Sequence, residues 1–140
     1  MNSSIKDIRL VDVPKIVDVN GNLSVIELES FPFQINSVRY LYNFADNDGE
    51  NGNGYSHKNS QQLIIALSGS FDVLLKDGEN EKTIYLNRPN SGLLISPGIW
   101  SALQNISSGA VCLLLSSSIF NEADFQRDFG QFRLSKNRIA

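Results

Sequence analysis

The sequence is poor in the residues that build metal and redox sites. Its 140 residues include one histidine, His57, and one cysteine, Cys112. A lone cysteine excludes an internal disulfide and a multi-cysteine metal site. It lies in the apolar run 110–115, and this position predicts a small buried side chain.

The net charge is small, and long apolar segments are scarce. The formal net charge of -3 gives no basic surface for nucleic acid. The longest apolar run, residues 110–115, is too short to cross a bilayer, and the first residues lack the apolar core of a secretory signal. We therefore expect a cytoplasmic protein, one domain over residues 1–140, with no nucleic-acid or membrane partner.

Short β-rich runs separated by turn signals predict an all-β fold. Asn20-Gly21 favours a tight hairpin between runs 16–19 and 23–28. Further runs follow at 35–44, 63–67, 71–75, 82–86, 93–96 and 110–116. About eight short strands of this kind are typical of a sandwich or barrel. Runs that are apolar throughout, such as LIIAL, predict strands buried on both faces or covered by a partner subunit.

Two other segments stand out from this strand pattern. Residues 45–54, ADNDGENGNG, hold one apolar side chain and predict a flexible loop, either a lid or a loop without function. Near the end, Asn121 is a predicted helix cap with Asp124 three residues on. Phe125, Phe129 and Phe132 follow at the spacing of one helix face, so a short C-terminal helix with an aromatic packing face is expected.

Two segments fit the frame of the cupin motifs. The first cupin motif has two histidines one residue apart, an acid and a glycine turn, and the second has a proline-glycine turn, a histidine and an asparagine. The corresponding residues here are Tyr55, His57, Gln61 and Gly69, then Pro97-Gly98, Ser101 and Asn105. This resemblance implies a double-stranded β-helix, or jelly roll. Three of the four metal-ligand positions hold a phenol, an amide and a hydroxyl, so no bound metal is expected.

The chain is similar, from about residue 16 to residue 132, to the WxcM-like sugar 3,4-ketoisomerases. Four blocks carry the resemblance: IVDVNGNLSVIE, PFQINSVRYLY, YSHKNSQQLIIALSGSFDVLLKDG and GLLISPGIWSALQNISSGAVCLLLSSSIFNEADFQRDF. The family acts on dTDP-4-keto-6-deoxyglucose and moves its carbonyl from C4 to C3 through an enediol. The resemblance implies a homodimer that binds a dTDP-linked sugar in the barrel mouth, without a metal or organic cofactor.

His57 matches the second histidine of the family's HxH pair, which implies that it is the main base. An imidazole suits this role because it titrates near neutral pH. Tyr55 stands at the first histidine and is expected to act as the acid, since a phenol with a pKa of ~10 is a poor base. The family's arginines fall at Asn20 and Gly52, so a diphosphate loses cations here unless Arg39 or Lys58 replaces them.

The substrate-binding residues expected from these patterns are Arg39, Tyr40, Tyr42, Lys58, Gln61, Trp100, Ser101 and Asn105. Arg39 is either a phosphate ligand or an ordinary ion-paired side chain. Tyr40 and Tyr42 share one strand face and line either the pocket or a dimer surface. Trp100 either stacks on the ligand or fills the barrel. The preferred hypothesis is an isomerase, and the alternative is a non-catalytic cupin that binds a nucleotide sugar or a partner protein.

Overall fold

The computed structural model describes residues 3–44 and 54–137, and most of its regular structure is β-sheet. The strands are β1 (Arg9–Asp12), β2 (Lys15–Asp18), β3 (Gly21–Ser24), β4 (Ser37–Tyr42), β5 (Ser56–His57), β6 (Gln62–Ser68), β7 (Phe71–Lys76), β8 (Glu81–Leu86), β9 (Ser91–Ile95), β10 (Trp100–Gln104), β11 (Val111–Ser116) and β12 (Phe125–Gln126). One helix, α1 (Phe129–Asn137), follows them. The predicted all-β class is confirmed.

The strands form two larger antiparallel sheets. One sheet has the order β1-β9-β6-β11-β4, and the other has the order β10-β7-β8. The short strands β5 and β12 pair with each other, as do β2 and β3. Between the two larger sheets lies an apolar cluster that includes Ile64, Leu93 and Cys112 from the first and Phe71 and Val73 from the second. This is the two-layer arrangement of a jelly roll.

Residue periodicity explains which faces are buried. In β7 the side chains alternate between buried and partly buried, as expected when one face meets the core. In β6 both faces are buried. Its inward residues join the central cluster, and Leu63 and Ile65 are covered by Phe31 and Phe33 from the segment before β4. The prediction that LIIAL is buried on both faces is therefore confirmed for residues 63–66, whereas Leu67 is 47% exposed.

Some observed elements end at other residues than the sequence predicts. The hairpin around Asn20-Gly21 is present, but β3 ends at Ser24 and Leu28–Ser30 form a 3-10 turn instead of extending the strand. The predicted loop 45–54 falls, except for Gly54, outside the described residues, as does Gly52. In the described part of the chain, no helix is long and apolar enough to cross a membrane.

The predicted start of the C-terminal helix is wrong. Asn121 does accept a hydrogen bond from the Ala123 N–H, at 3.0 Å, but it caps only the 3-10 turn Glu122–Asp124. The chain is then extended at Phe125, because the backbone there pairs with His57. Helix α1 begins at Phe129, so Phe125 does not share its face with Phe129 and Phe132.

Trp100 connects α1 to the candidate site. Its indole is 1% exposed and packs against Phe129 and Phe132, at ring-centroid distances of 5.2 and 5.6 Å. The Gly54 backbone lies on the same indole, since a Cβ at Gly54 would come within 2.6 Å of the Trp100 Nε1. The absence of a side chain at Gly54 therefore sets the path by which the chain reaches Tyr55.

Gly54→Ala tests this contact. We expect it to destabilise the fold by about 1–3 kcal/mol, because the new methyl group must displace a buried indole. Denaturant unfolding measures the loss. Lys58→Ala, at an exposed position nearby, is the control and should change stability by less than about 0.5 kcal/mol. Equal stability of Gly54→Ala and wild type would contradict the packing described.

Candidate active site

His57 lies at the end of a short strand and is held on both sides by backbone pairing. It pairs with Phe125 of β12, and its carbonyl oxygen accepts a hydrogen bond from the Gly98 N–H at 2.8 Å. The side chain is 5% exposed. The Phe125 ring packs against the imidazole, with 4.5 Å between centroids. The position is therefore fixed by the backbone on both sides and by an aromatic contact.

The His57 imidazole has a carboxylate partner, Asp124. Its Nδ1 lies 3.0 Å from the Asp124 Oδ2. The Asp124 side chain also accepts hydrogen bonds from the Ser60 hydroxyl and from the Asn59 N–H. Burial raises the pKa of the Asp124 carboxyl, but these hydrogen bonds outweigh it and hold the pKa below its ordinary value. Asp124 is therefore ionised at neutral pH and accepts a hydrogen bond from the His57 Nδ1–H.

Burial also shifts the pKa values of the two candidate catalytic groups, His57 and Tyr55. It lowers the pKa of His57, and the opposing effect of Asp124 does not fully compensate for it. It raises the pKa of Tyr55, with a smaller opposing effect of the Arg39 charge. At neutral pH the imidazole is consequently unprotonated and the phenol keeps its proton. This is the combination that a base and an acid need.

One amide lies between the two rings. The Gln62 Oε1 is 3.2 Å from the His57 Nε2 and 3.3 Å from the Tyr55 hydroxyl. Gln62 is 1% exposed and stands on the inward face of β6. The Tyr55 backbone forms a bridge with Ser101 on the other side. The amide thus links the two groups that were expected to act as base and acid.

Arg39 completes the cluster from β4. Its guanidinium carbon lies 5.4 Å from the Phe120 ring centroid and 5.0 Å from that of Phe125. No carboxylate of residues 3–44 and 54–137 forms an ion pair with it. Its charge is stabilised by the faces of these two aromatic rings.

A small cavity marks the point where these side chains meet. Its lining includes Arg39, His57, Ser60, Asp124 and Phe125, and its volume is about 10 Å³. That volume is close to the space of one water molecule. Both a cation and a candidate base therefore face the same polar space.

The other residues predicted to bind substrate lie in different environments. Tyr40 and Tyr42 stack on each other and are exposed on the face of β4 opposite Arg39. Trp100 is packed against α1. Ser101 is buried beside Tyr55, and the backbone of Gln61 pairs with Ser117.

The last two predicted binding residues are on the surface. Lys58 is exposed directly after His57. Asn105 is exposed in the turn after β10, where its amide donates to the Asp72 Oδ2 at 2.7 Å. The structure thus gathers His57, Tyr55, Arg39 and Ser101 of the predicted set.

Several residues of the cluster were not among those predicted. Gln62 stands where Gln61 was expected, because strand alternation turns Gln62 towards the interior with Ile64. Asp124 had been interpreted only as the acid of a helix start. Phe125 had been interpreted only as part of a helix face, and Ser60 had no signal beyond its position near these residues. Among the described residues, no group of three or more histidine, cysteine, aspartate or glutamate side chains could hold a metal ion.

The fold and the site together define a cupin barrel with a histidine–aspartate pair near its tyrosine. Comparison with known proteins then gives the family. Residues 6–137 match the model of the FdtA family, described as WxcM-like, C-terminal. The chain belongs to this family.

Characterised relatives cover nearly the whole chain. The TDP-4-oxo-6-deoxy-alpha-D-glucose-3,4-oxoisomerase of Aneurinibacillus thermoaerophilus is 33% identical over 127 residues, 89% of each chain. The sugar 3,4-ketoisomerase of Thermoanaerobacterium thermosaccharolyticum, solved with TDP, is 31% identical with a TM-score of 0.86, over 97% of this chain and 98% of that one. A histidine-to-asparagine variant of that enzyme, solved with TDP-4-keto-6-deoxyglucose, is 32% identical with a TM-score of 0.84, over 94% and 95%.

The single histidine makes the electrostatics of the site directly measurable. We expect the pKa of His57, followed by NMR titration, to lie below the ordinary value of about 6.5. Asp124→Asn should lower it further, because the carboxylate favours the imidazolium. Since the folded-state pKa is the lower one, protonation of His57 favours unfolding, and this loss of stability appears as the pH falls below about 6.5.

The control removes an equal charge at a different place. Glu122→Gln changes an exposed carboxylate that bonds to Arg127, so it should leave the His57 pKa nearly unchanged. A pKa that rises in Asp124→Asn, or that moves equally in both variants, would contradict the pairing of His57 with Asp124.

Proposed function

We propose that the protein is a sugar-nucleotide 3,4-ketoisomerase that acts on a TDP-linked 4-keto-6-deoxyhexose. The observation that carries this proposal is a buried histidine–aspartate pair next to a protonated tyrosine, in a chain of this family. The reaction moves a carbonyl within one sugar through an enediol. A proton leaves C3 and another reaches the O4 oxygen, then the O3 proton leaves and C4 receives one, so no oxidant or reductant is consumed.

His57 serves as the base for C3. The Asp124 carboxylate holds the proton of the neutral imidazole on Nδ1, so that the lone pair of electrons on Nε2 is free to act as the base. Burial keeps the ring neutral at pH 7, and the carboxylate stabilises the imidazolium that forms when Nε2 takes the substrate proton. The same nitrogen then has a proton to return to C4.

Tyr55 and Arg39 act on the oxygen side of the reaction. The raised pKa of Tyr55 keeps its hydroxyl protonated, so that it donates to the C4 carbonyl oxygen. Arg39 has no carboxylate partner in the described part of the chain, and it supplies a fixed positive charge as the enolate develops. The guanidinium never loses its proton near neutral pH, so this stabilisation does not depend on pH.

Hydrogen exchange tests the proposal. The protein is incubated with TDP-4-keto-6-deoxyglucose in D2O, and deuterium at C3 is followed by NMR. We expect the wild type to incorporate deuterium and His57→Asn to lose the exchange by at least about 100-fold, because general base catalysis contributes factors of this size.

Tyr55→Phe gives the matched comparison for the acid. It removes one hydroxyl and keeps the ring contacts with His57 and Phe125, so we expect slower exchange with TDP binding retained. Wild-type protein that binds TDP but incorporates no deuterium would contradict the isomerase and favour a cupin that only binds a nucleotide sugar.

A homodimer is the second part of the proposal. The β2–β3 hairpin pairs with no other described strand, and its apolar side chains are more than half exposed, Ile16 and Leu23 on one face and Val17 on the other. A two-stranded hairpin is marginally stable on its own, and clustered exposed apolar side chains mark interaction surfaces. A second copy of the chain would cover them.

Light scattering during gel filtration measures this directly. We expect a mass of about twice 15.5 kDa for the wild type and a shift towards the single chain in Val17→Asp, since a buried unpaired charge opposes association. Thr83→Asp, at an exposed site on β8, should remain dimeric. A monomeric wild type would contradict the dimer.

A further inference from the structure

We propose that the Gln62 amide turns with the protonation state of His57 and thereby sets the hydrogen bond of Tyr55. The amide makes the base and the acid ready in the same state of the protein. Gln62 is then a positioning residue, and it acts through the two rings that it contacts. This inference rests on the proposed function only in assigning His57 as the base and Tyr55 as the acid. The coupling itself is a property of the site without substrate.

The geometry joins the Gln62 amide to both rings. Its oxygen lies within hydrogen-bond distance of both the His57 Nε2 and the Tyr55 hydroxyl. The side chain is almost fully buried between the sheets. A buried amide must satisfy its donors and acceptor locally, and its oxygen and nitrogen can exchange places by a half turn. Which end faces the rings is therefore decided by the rings.

The protonation state of His57 determines which end of the Gln62 amide faces the imidazole. The ionised carboxylate of Asp124 requires a proton on Nδ1, so the neutral imidazole has a bare Nε2. A bare nitrogen facing a carbonyl oxygen is repelled, whereas the amide NH2 can donate to it. When Nε2 is protonated, the imidazolium donates and the carbonyl oxygen is the matching partner. The arrangement with Oε1 towards His57 thus corresponds to the imidazolium.

The same half turn of the Gln62 amide changes the hydrogen bond of the Tyr55 hydroxyl. With the amide oxygen facing it, Tyr55 donates its proton to Gln62, and that proton is held inside the protein. With the NH2 facing it, the phenol oxygen accepts from Gln62, and the positive charge of Arg39 acts on the same oxygen. Its own O–H is then free to donate to another acceptor, such as a ligand carbonyl. A neutral His57 and a Tyr55 that can donate outward therefore occur together.

Other charged or titratable groups near the two rings affect both the neutral and the protonated form of His57. Asp124 faces Nδ1 from the 3-10 turn, and the charge of Arg39 on β4 acts on both rings. Cys112 on β11 is a neutral thiol, since burial raises its pKa to about 12. The Arg127 guanidinium lies 5.6 Å from the Tyr55 ring centroid. None of these groups lies between His57 and Tyr55 as Gln62 does.

The test uses imidazole NMR on the one histidine, without substrate. We expect the neutral wild-type ring to carry its proton on Nδ1. Gln62→Glu presents only acceptors and should raise the His57 pKa by about one unit or more. Gln62→Met has neither donor nor acceptor and should lower it, because the imidazolium loses the stronger of its possible partners. A purely structural role would destabilise both variants without opposite shifts.

Gln61→Glu is the matched control. It places the same charge one residue earlier on the chain, where the backbone pairs with Ser117 and the side chain is directed away from the interior face. We expect its effect on the His57 pKa to be less than half that of Gln62→Glu. Equal shifts in the two variants, or a neutral ring protonated on Nε2, would overturn the proposal.

A double-mutant cycle tests the coupling itself. Tyr55→Phe should shift the His57 pKa measurably in the wild-type background and by much less in the Gln62→Met background. The same shift in both backgrounds would mean that the rings interact without the amide, and the proposal would fail. Absence of turnover in wild-type protein would remove the isomerase while leaving these titrations decisive.

Discussion

The candidate site depends on one interaction, the acceptance of three hydrogen bonds by the Asp124 carboxylate. Burying a carboxylate is costly unless its oxygens find donors, and here Ser60, the Asn59 N–H and His57 supply them. The Lys58 N–H also donates to the Asp124 carbonyl oxygen at 2.8 Å. The strand that carries His57 and the segment after β11 are thereby joined, and this junction fixes both the imidazole and the Phe125 ring beside it.

The distribution of charge in this site differs from that in a site with two histidines. Burial favours the neutral forms of His57 and Tyr55, so the permanent charges are those of Asp124 and Arg39. A histidine at position 55 would supply positive charge only at acidic pH, whereas Arg39 supplies it throughout. In the proposed mechanism, the guanidinium of Arg39 supplies the positive charge, and Tyr55 remains the proton donor.

The sequence predicted the class of fold and part of the site for reasons that can be named. Strand runs and turn residues follow local rules, and β7 and β6 obey them. The motif frame located His57 and Tyr55 but assigned the polar partner to Gln61, because spacing along a strand does not reveal which parity faces inward. Asp124 and Phe125 were interpreted as a helix start, since the pairing of β12 with β5 joins residues far apart in the chain and leaves no local signal.

This long-range pairing changes what the missing motif residues mean. The segment from Asn121 to α1 positions both candidate catalytic rings: Asp124 and Phe125 hold His57, while Phe129 and Phe132 hold the Trp100 indole on which Gly54 and the approach to Tyr55 rest. None of these supports belongs to the two cupin motifs. In the proposed mechanism, the orientation of the acid and the base therefore comes from the C-terminal segment as much as from the motif strands.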